Sequence, residues 1–161
     1  MVSLRNTSTM ESTALVCLLL SGCGFAARYE LTDSGMSIDF PYSYRVTTLK
    51  SPFVRVQGLN TGGSVIDILM VKDISLKDAI ENYAWFMNAS KRPVIKQGIR
   101  TLSGKKWAEI IGCDQINCYQ QLILPHFRPG KSLSVFVQFK SDFSAAGQKE
   151  IGDIVNSIQI K

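Results

Sequence analysis

Two segments of the chain repeat apolar residues at the spacing of an amphipathic helix. The first begins at Ser75-Leu76-Lys77-Asp78, which resembles a capping box that covers otherwise unpaired backbone N–H groups. Its stripe contains Leu76, Ala79, Ile80, Tyr83, Ala84 and Met87, while Phe86 falls at the edge and Trp85 points away. The second segment covers 144–157, with Ile151, Ile154, Val155 and Ile158 on one face. The pattern predicts two helices that each direct one face to a core.

Much of the remaining sequence alternates apolar and polar residues, which is the period of a half-buried strand. The predicted strands cover 36–40, 42–48, 53–59, 65–72, 94–102, 105–113, 118–127 and 132–140. Short turn signals such as Ser103-Gly104 and Arg128-Pro129-Gly130 join consecutive strands, and connections of this length favour antiparallel pairing. The order of elements predicts an α+β domain, with a single antiparallel β-sheet and two flanking helices.

Composition and charge narrow the classes of partner. The chain has 161 residues, with 18 Lys and Arg against 13 Asp and Glu, giving a formal net charge of +5. A mildly basic balance favours an anionic membrane surface or an acidic partner. The densest pairs of cations are Lys91-Arg92 and Lys105-Lys106, and the sequence contains no recognisable nucleic-acid-binding module. We therefore expect no nucleic-acid partner.

The first 22 residues have the parts of an export signal. Arg5 is the n-region cation, and the apolar run at 13–20 is much shorter than the ~20 residues of a transmembrane helix. Leu20-Ser21-Gly22-Cys23 then resembles the lipobox of bacterial lipoproteins. This resemblance implies a signal peptide at 1–22 that is cleaved before Cys23, and a diacylglycerol and an acyl chain such as palmitate on that cysteine.

Further expectations follow from this resemblance. Because Gly24 rather than an aspartate follows the cysteine, it implies delivery to the outer membrane, facing the periplasm. Residues 23–34 are then the lipidated N-terminus and a flexible tether, and 35–161 form the folded domain. The alternatives are an ordinary cleaved signal, or a buried apolar helix whose cysteine is incidental.

The cysteines become informative once the signal is placed. Cys17 leaves with the signal and Cys23 takes the lipid, so Cys113 and Cys118 remain. The turn-like residues 114–117 separate them, and residues that face each other across a hairpin can meet disulfide geometry in the oxidising periplasm. We predict a Cys113–Cys118 disulfide. Half of a metal site is the alternative, but no second cysteine pair exists and His126 is the only histidine, so we expect no metal.

The order of short motifs resembles a known family of folds. The motifs are Met36-Ser37-Ile38-Asp39-Phe40-Pro41, Ser75-Leu76-Lys77-Asp78-Ala79, Ser103-Gly104-Lys105-Lys106-Trp107-Ala108 and Ile154-Val155-Asn156-Ser157-Ile158. Over 35–161 the chain resembles the PsbP-like fold, which DcrB-like bacterial proteins and a yeast nuclear-import factor that binds Ran share. Tyr42 and Tyr44 stand where relatives commonly carry a tryptophan. The resemblance implies a non-catalytic accessory scaffold without a cofactor.

The sequence contains no catalytic signature. His126 lies next to a turn, and no Gly-x-Ser-x-Gly motif accompanies it. Aromatic residues and arginine are enriched in interface hot spots. By that criterion the candidate partner-binding residues are Trp107, Tyr119, His126, Phe127 and Arg128. Trp107 and Tyr119 fit the sheet core equally well.

Three functions are compatible with these observations. We expect a lipid-anchored, periplasm-facing accessory protein that binds another envelope protein, which a filled core and an exposed apolar patch would favour. The second hypothesis is a small-molecule or lipid carrier, with a pocket between sheet and helices lined by Tyr83 and Met87. The third is a hydrolase, which a concave pocket holding His126 close to a carboxylate and a serine would favour.

Overall fold

The computed structural model describes residues 26–31, 35–41, 44–48, 54–58 and 64–161. Within these ranges the strands are β1 Ala26–Leu31, β2 Met36–Pro41, β3 Tyr44–Thr48, β4 Val54–Gly58, β5 Val65–Lys72, β6 Val94–Leu102, β7 Lys105–Cys113, β8 Asn117–Arg128, β9 Lys131–Lys140 and β10 Gln159–Ile160. The helices are α1 Leu76–Ala89 and α2 Ala145–Asn156. Neither of these two helices is both long and apolar enough to span a bilayer.

The described strands form two antiparallel sheets, and the two helices pack on the larger one. The larger sheet has seven strands in the order β3-β4-β5-β9-β8-β7-β6, and the smaller has the order β1-β2-β10. The predicted α+β class, the antiparallel pairing and the two helices are confirmed. The predicted single sheet is instead divided, because β2 pairs with β1 and β10 rather than with the larger sheet.

Capping side chains fix where both helices begin. The Ser75 hydroxyl accepts a hydrogen bond from the Asp78 N–H at 3.1 Å and donates to the Asp78 carboxylate at 2.8 Å. The Ser144 hydroxyl accepts from the Gly147 N–H at 3.2 Å. These side chains satisfy N–H groups that have no partner inside the helix. The predicted helix starts are thus confirmed.

Side chains are buried on both faces of the seven-stranded sheet. On one face, α1 packs over β7 and β8, and the buried residues are Ala79, Ala84, Met87, Ala108, Ile110, Tyr119 and Ile123. On the other face, β2 and α2 supply much of a larger core that includes Met36, Ile38, Phe40, Trp107, Leu122, Val135, Ile151 and Ile154. The central strands therefore have no solvent-exposed face.

The structure differs from the sequence prediction at the start of the domain. Residues 23–34 were predicted to include a flexible tether, but Ala26–Leu31 forms β1 and pairs with β2 along its whole length. Arg28 supports this strand from the side, because its Nη2 donates to Gln159 Oε1 at 2.6 Å and to Ser37 Oγ at 3.2 Å. Cys23 and the predicted signal peptide lie outside the described residues.

The seven-stranded sheet has two distinct ends. We call the end that carries the β7–β8 hairpin the disulfide end; there Val94 lies opposite Gly112, and Gly112 opposite Tyr119. We call the other the histidine end, because the β8–β9 hairpin carries His126 there. The turn between β6 and β7 lies at the histidine end as well.

The small sheet follows the same axis. The Ile160 N–H donates to Ser103 Oγ at 3.1 Å, and the Lys161 N–H donates to Gly35 O at 2.9 Å, so β2 starts near the histidine end. Only two residues separate its last residue, Pro41, from Tyr44. The pairing of β3 with β4, β5, β9 and β8 in turn places Tyr44 close to the level of Tyr119, at the disulfide end. Because Ala26 pairs with Pro41, β1 begins at the disulfide end.

Candidate binding surface

Two predicted partner-binding residues belong to the core instead. Trp107 is 0% exposed, and its indole N–H donates to Leu102 O at 3.3 Å. Tyr119 is 5% exposed, its hydroxyl donates to Asp114 Oδ2 at 3.0 Å, and the Arg92 guanidinium lies over its ring. Of the two alternatives that the sequence leaves open for these residues, the structure shows the sheet core for both, because α1 covers one face of β7 and β8 while β2 and α2 cover the other.

The three remaining predicted residues, His126, Phe127 and Arg128, lie together at the histidine end. His126 and Arg128 are exposed, whereas Phe127 is partly buried against the larger core. His126 has φ 52°, a left-handed conformation that a residue other than glycine seldom adopts, and it lies in a register shift between Leu124 and Arg128.

Asp73 holds His126 in this conformation. Asp73 Oδ1 accepts from the His126 backbone N–H at 2.9 Å, and Asp73 Oδ2 lies 2.5 Å from His126 Nδ1. The Ser132 hydroxyl also donates to Asp73 Oδ1, at 2.8 Å. The backbone N–H of His126 and then the Ser132 hydroxyl lower the pKa of Asp73 from 3.8 to about 2. The carboxylate is therefore ionised at neutral pH.

This cluster brings together a histidine, a carboxylate and a serine, the residue types that the hydrolase hypothesis requires, but not in a catalytic arrangement. Ser132 is 0% exposed, and its oxygen donates to Asp73 while it accepts from the Ile74 N–H at 3.1 Å. In a catalytic triad the serine contacts the imidazole nitrogen that the carboxylate leaves free. Here the serine contacts the carboxylate, so the cluster fixes the hairpin turn instead of activating a nucleophile.

The disulfide end is held by a dense set of bonds. Cys113 and Cys118 lie opposite each other and form the predicted disulfide. Asp114 Oδ1 accepts from the N–H groups of Asn117 and Ile116 at 2.7 and 2.8 Å, and these bonds lower the pKa of its carboxyl group. The Ser141 N–H adds a bond to Ile116 O at 2.8 Å. The turn is therefore fixed, and it presents Ile116, which is 68% exposed.

Among the residues whose burial the structure describes, the large exposed hydrophobic residues outside that turn belong to α1 and β6. We define the α1–β6 surface by Trp85, Phe86, Ile95 and Ile99, which are 72%, 53%, 67% and 59% exposed. Trp85 and Phe86, together with Asn82 and Tyr83, line an open groove of about 410 Å³. Sequence reasoning did not select this surface, although it placed Trp85 outside the apolar stripe of α1.

The strand on this surface is an edge of the sheet. β6 pairs with β7 on one side, and within the described part of the chain no strand pairs with its other side. Its first residues contain a register shift between Val94 and Lys96, which interrupts regular pairing. Lys96 and Arg100 both bind Glu109 of β7, at 2.6 and 2.8 Å. The edge is therefore anchored to the sheet by charge while its isoleucines remain exposed.

Positive charge surrounds this edge. The segment 91–106 contains six cations and no acidic residue: Lys91, Arg92, Lys96, Arg100, Lys105 and Lys106. Glu109 compensates only part of this charge, through Lys96 and Arg100. Among the described residues no cluster of three or more His, Cys, Asp or Glu side chains could hold a metal ion. Exposed isoleucines and cations therefore occur together on β6.

Comparison with known proteins identifies the fold. No protein-family model matches the chain, and no curated protein matches it in sequence. Cyanobacterial PsbP (CyanoP) from Synechocystis sp. PCC 6803 superposes with a TM-score of 0.64 at 13% identity, covering 91% of this chain and 99% of that protein. The Ran-binding protein Mog1p from Saccharomyces cerevisiae has a TM-score of 0.61 at 6% identity, covering 86% and 96%.

A third solved structure comes from a bacterial envelope system. LpqN of Mycobacterium tuberculosis, described as involved in cell envelope biogenesis, superposes with a TM-score of 0.56 at 12% identity, covering 82% of this chain and 88% of LpqN. At these identities the likeness shows the fold alone. The domain thus has the PsbP-like fold that the order of sequence motifs predicted.

Proposed function

We propose that this protein is a non-catalytic accessory protein of the bacterial cell envelope, anchored by lipid on Cys23, that binds another envelope protein through the α1–β6 surface. One observation carries the proposal: Trp85 and Phe86 of α1, and Ile95 and Ile99 of the neighbouring edge strand, are each more than half exposed. Exposed hydrophobic residues that concentrate in one region of a surface mark interaction sites, and α1 lies directly against β6.

The chemistry of this surface is that of a protein interface. Tryptophan is among the residues most enriched in binding hot spots. An open sheet edge can accept an additional extended strand, so that main-chain hydrogen bonds give affinity and side-chain pockets give specificity. If a partner strand added to β6, the exposed side chain of Ile99 would contact a side chain of that strand. The acid-free run of six cations at 91–106 favours a partner segment that carries acidic residues.

The structural neighbours support the class of function without fixing it. Mog1p is named a Ran-binding protein, so the same fold binds a protein in that case. LpqN is described as involved in cell envelope biogenesis, in agreement with the envelope location that the lipobox-like sequence predicts. A shared fold does not by itself determine function, and the proposal depends on the exposed residues.

Site-specific photo-crosslinking in intact cells tests the proposal. A photoreactive amino acid at Phe86 is compared with one at Lys131, an exposed position at the histidine end. We expect position 86 to crosslink a single envelope protein. The Trp85→Ala variant should abolish this adduct, and Cys23→Ser should abolish it by releasing the protein from the membrane.

The histidine end provides the matched alternative. His126→Ala and Arg128→Ala should leave the adduct at position 86 unchanged, because both residues lie at the other end of the domain from the last turn of α1. If His126→Ala and Arg128→Ala abolish the adduct and Trp85→Ala preserves it, the binding site lies at the β8–β9 hairpin, whose residues the sequence predicts as partner-binding. Crosslinking only to lipid or a small molecule at position 86 would favour a carrier, whose binding site would then be the groove on α1 beside Tyr83 and not a pocket between sheet and helices.

A further inference from the structure

The start of the folded domain lies at the disulfide end. Ala26 pairs with Pro41, and Pro41 precedes Tyr44 by three positions, at the end of the sheet where Tyr119 and Val94 also lie. The opposite end of β2 is fixed by the Lys161 N–H, which donates to Gly35 O at 2.9 Å. The chain therefore enters the domain on the same side as the β7–β8 hairpin.

The chain between the proposed lipid anchor and this entry point is short. Only Gly24 and Phe25 separate Cys23 from Ala26. Even a fully extended chain covers at most ~3.6 Å per residue, so this connection spans about 11 Å. A lipid on Cys23 would consequently hold the start of β1 within about 11 Å of the bilayer interface. This distance is too short for the domain to move freely away from the membrane.

The disulfide end presents a surface that suits a bilayer interface. Ile116 projects from the fixed β7–β8 turn, and with Lys91, Pro93 and Cys113 it lines an open groove of about 580 Å³. Lys140, which is exposed, lies opposite Asn117, next to Ile116. An apolar residue between two lysines can enter the headgroup region while the ammonium groups contact anionic phosphates.

The disulfide end has a net positive charge although it contains acidic residues. Asp114 lies in the same turn, but its carboxylate accepts three bonds, from Ile116, Asn117 and Tyr119. Among the described residues, the charged side chains at this end are Arg45, Lys91, Arg92 and Lys140 against Asp114 and Asp142, while the nearby Arg28 and Asp39 form an ion pair with each other. The four cations outnumber the two acidic residues, so this end carries a net positive charge, which favours an anionic lipid surface.

We infer that the disulfide end docks on the membrane, with Ile116 inserted at the interface and Lys91 and Lys140 on lipid phosphates. The inference rests on the proposed lipidation of Cys23 and adds an orientation to it. With this end on the bilayer, the strands of the large sheet stand upright and the α1–β6 surface faces sideways. That orientation suits a partner held in the same membrane.

Depth-dependent fluorescence quenching tests this orientation. The full-length lipoprotein, purified with its lipid, is reconstituted into vesicles of phosphatidylethanolamine and phosphatidylglycerol that contain a nitroxide-labelled phospholipid. Ile116→Trp places a probe at the disulfide end, and Lys131→Trp places a matched probe at the histidine end. The signal of the native tryptophans is subtracted. We then expect quenching of the Ile116→Trp probe to be about three times that of the Lys131→Trp probe, since an interfacial tryptophan lies at headgroup depth.

Two further results separate this inference from the proposed function. If mass spectrometry finds Cys23 unmodified and wild type does not float with vesicles, the anchor itself is absent and the proposed function fails. If the protein is lipidated and floats while both probes are quenched equally, the docked orientation is overturned and the anchor stands.

Lys91→Glu with Lys140→Glu should reduce quenching of the Ile116→Trp probe on these vesicles, whereas Lys105→Glu with Lys106→Glu should not. An equal reduction in both pairs also overturns the inference.

Discussion

Arg100 and Glu109 form an ion pair that ties the edge of the large sheet to its interior, with Arg100 Nη1 2.8 Å from Glu109 Oε1. Gly98, which lies opposite Glu109, has no side chain, so Lys96 reaches the same carboxylate at 2.6 Å from the other side. Arg100 Nη2 also donates to Asn156 Oδ1 of α2 at 2.6 Å. Burial by itself raises the pKa of Glu109, but the bonds from Lys96, Arg100 and Gln120 together lower it.

Replacing Glu109 should therefore destabilise the domain. The Glu109 side chain is 3% exposed, and Glu109→Ala leaves the partly buried Arg100 without its carboxylate partner. Because Lys96 is largely exposed, we expect a loss of about 3 kcal/mol in the free energy of unfolding, at the lower limit for breaking a buried pair. Denaturant titration measures this change. Lys77→Ala, which removes an exposed i,i+4 pair with Glu81, should cost under about 0.5 kcal/mol. Equal effects of the two variants would contradict the structural role of Glu109.

The two tryptophans should respond in opposite ways to replacement. Trp107 is 0% exposed, so Trp107→Ala should lower the free energy of unfolding by about 4 kcal/mol. Trp85 is 72% exposed, so Trp85→Ala should change it by less than about 0.5 kcal/mol. Unfolding followed by circular dichroism compares the two proteins directly. A large loss of stability in Trp85→Ala would mean that another part of the chain covers α1.

The elements that could be predicted from sequence are those whose signals are local. The Ser75 and Ser144 caps and the apolar stripes define the helices, and the turn at 103–104 marks where β6 and β7 meet. β1 and the two-residue β10 were missed, because a short strand without clear alternation becomes recognisable only through its pairing partner. Both depend on β2, which is distant in sequence from β10.

The candidate site was harder to predict for a related reason. Alternation assigns exposed and buried faces only where one face of a strand meets solvent. In β7 both faces are covered, so Trp107 and Ala108 are buried side by side and Trp107 could not be assigned. For α1, the stripe showed that Trp85 points away from the core, but no local signal indicates whether another element covers it. The contact of His126 with Asp73 joins residues 53 positions apart.

Acid should weaken the histidine end through Asp73. Its pKa in the folded protein is about 2, below the ordinary value of 3.8, so the folded state favours the ionised carboxylate. This contribution is complete above the ordinary value and disappears as the pH falls through about 2. We expect the difference in unfolding free energy between wild type and Asp73→Asn to shrink between about pH 5 and pH 2. If the difference in unfolding free energy stays constant over this pH range, the charge of Asp73 does not stabilise the fold. Asp142→Asn, at an exposed loop position, provides the control.

Reduction of the disulfide should have a moderate effect, because the loop that it closes is short. Cys113 and Cys118 are separated by five positions, for which the loop-entropy relation gives about 2 kcal/mol. We expect Cys113→Ser with Cys118→Ser to lower the free energy of unfolding by this amount and to retain the fold by circular dichroism. Addition of a reductant should shift the wild type to the same value and leave the double variant unchanged. No shift of the wild type would show that the bond does not stabilise the turn that presents Ile116.

Two glycines offer a matched test of how closely β7 approaches the end of α1. A Cβ on Gly112 would lie 2.7 Å from Arg92 O and 3.0 Å from Met87 Sδ, and the first of these contacts is with backbone that cannot move aside alone. Gly112→Ala should therefore destabilise the domain by about 2 kcal/mol. A Cβ on Gly152, inside α2, meets nothing within 4 Å, so Gly152→Ala should stabilise it by about 0.7 kcal/mol through helix propensity.

Replacement of Gly112 should also change the surface at the disulfide end. Gly112 allows the segment after α1 to lie against β7, where the Cys113 N–H donates to Pro93 O at 3.2 Å. That contact places Lys91 and Pro93 beside Ile116 in one groove. Gly112→Ala should therefore reduce quenching of the Ile116→Trp probe by lipid as well as stability, whereas Gly152→Ala should leave quenching unchanged. A fully stable Gly112→Ala protein would show that α1 and β7 are packed less closely than the structure describes.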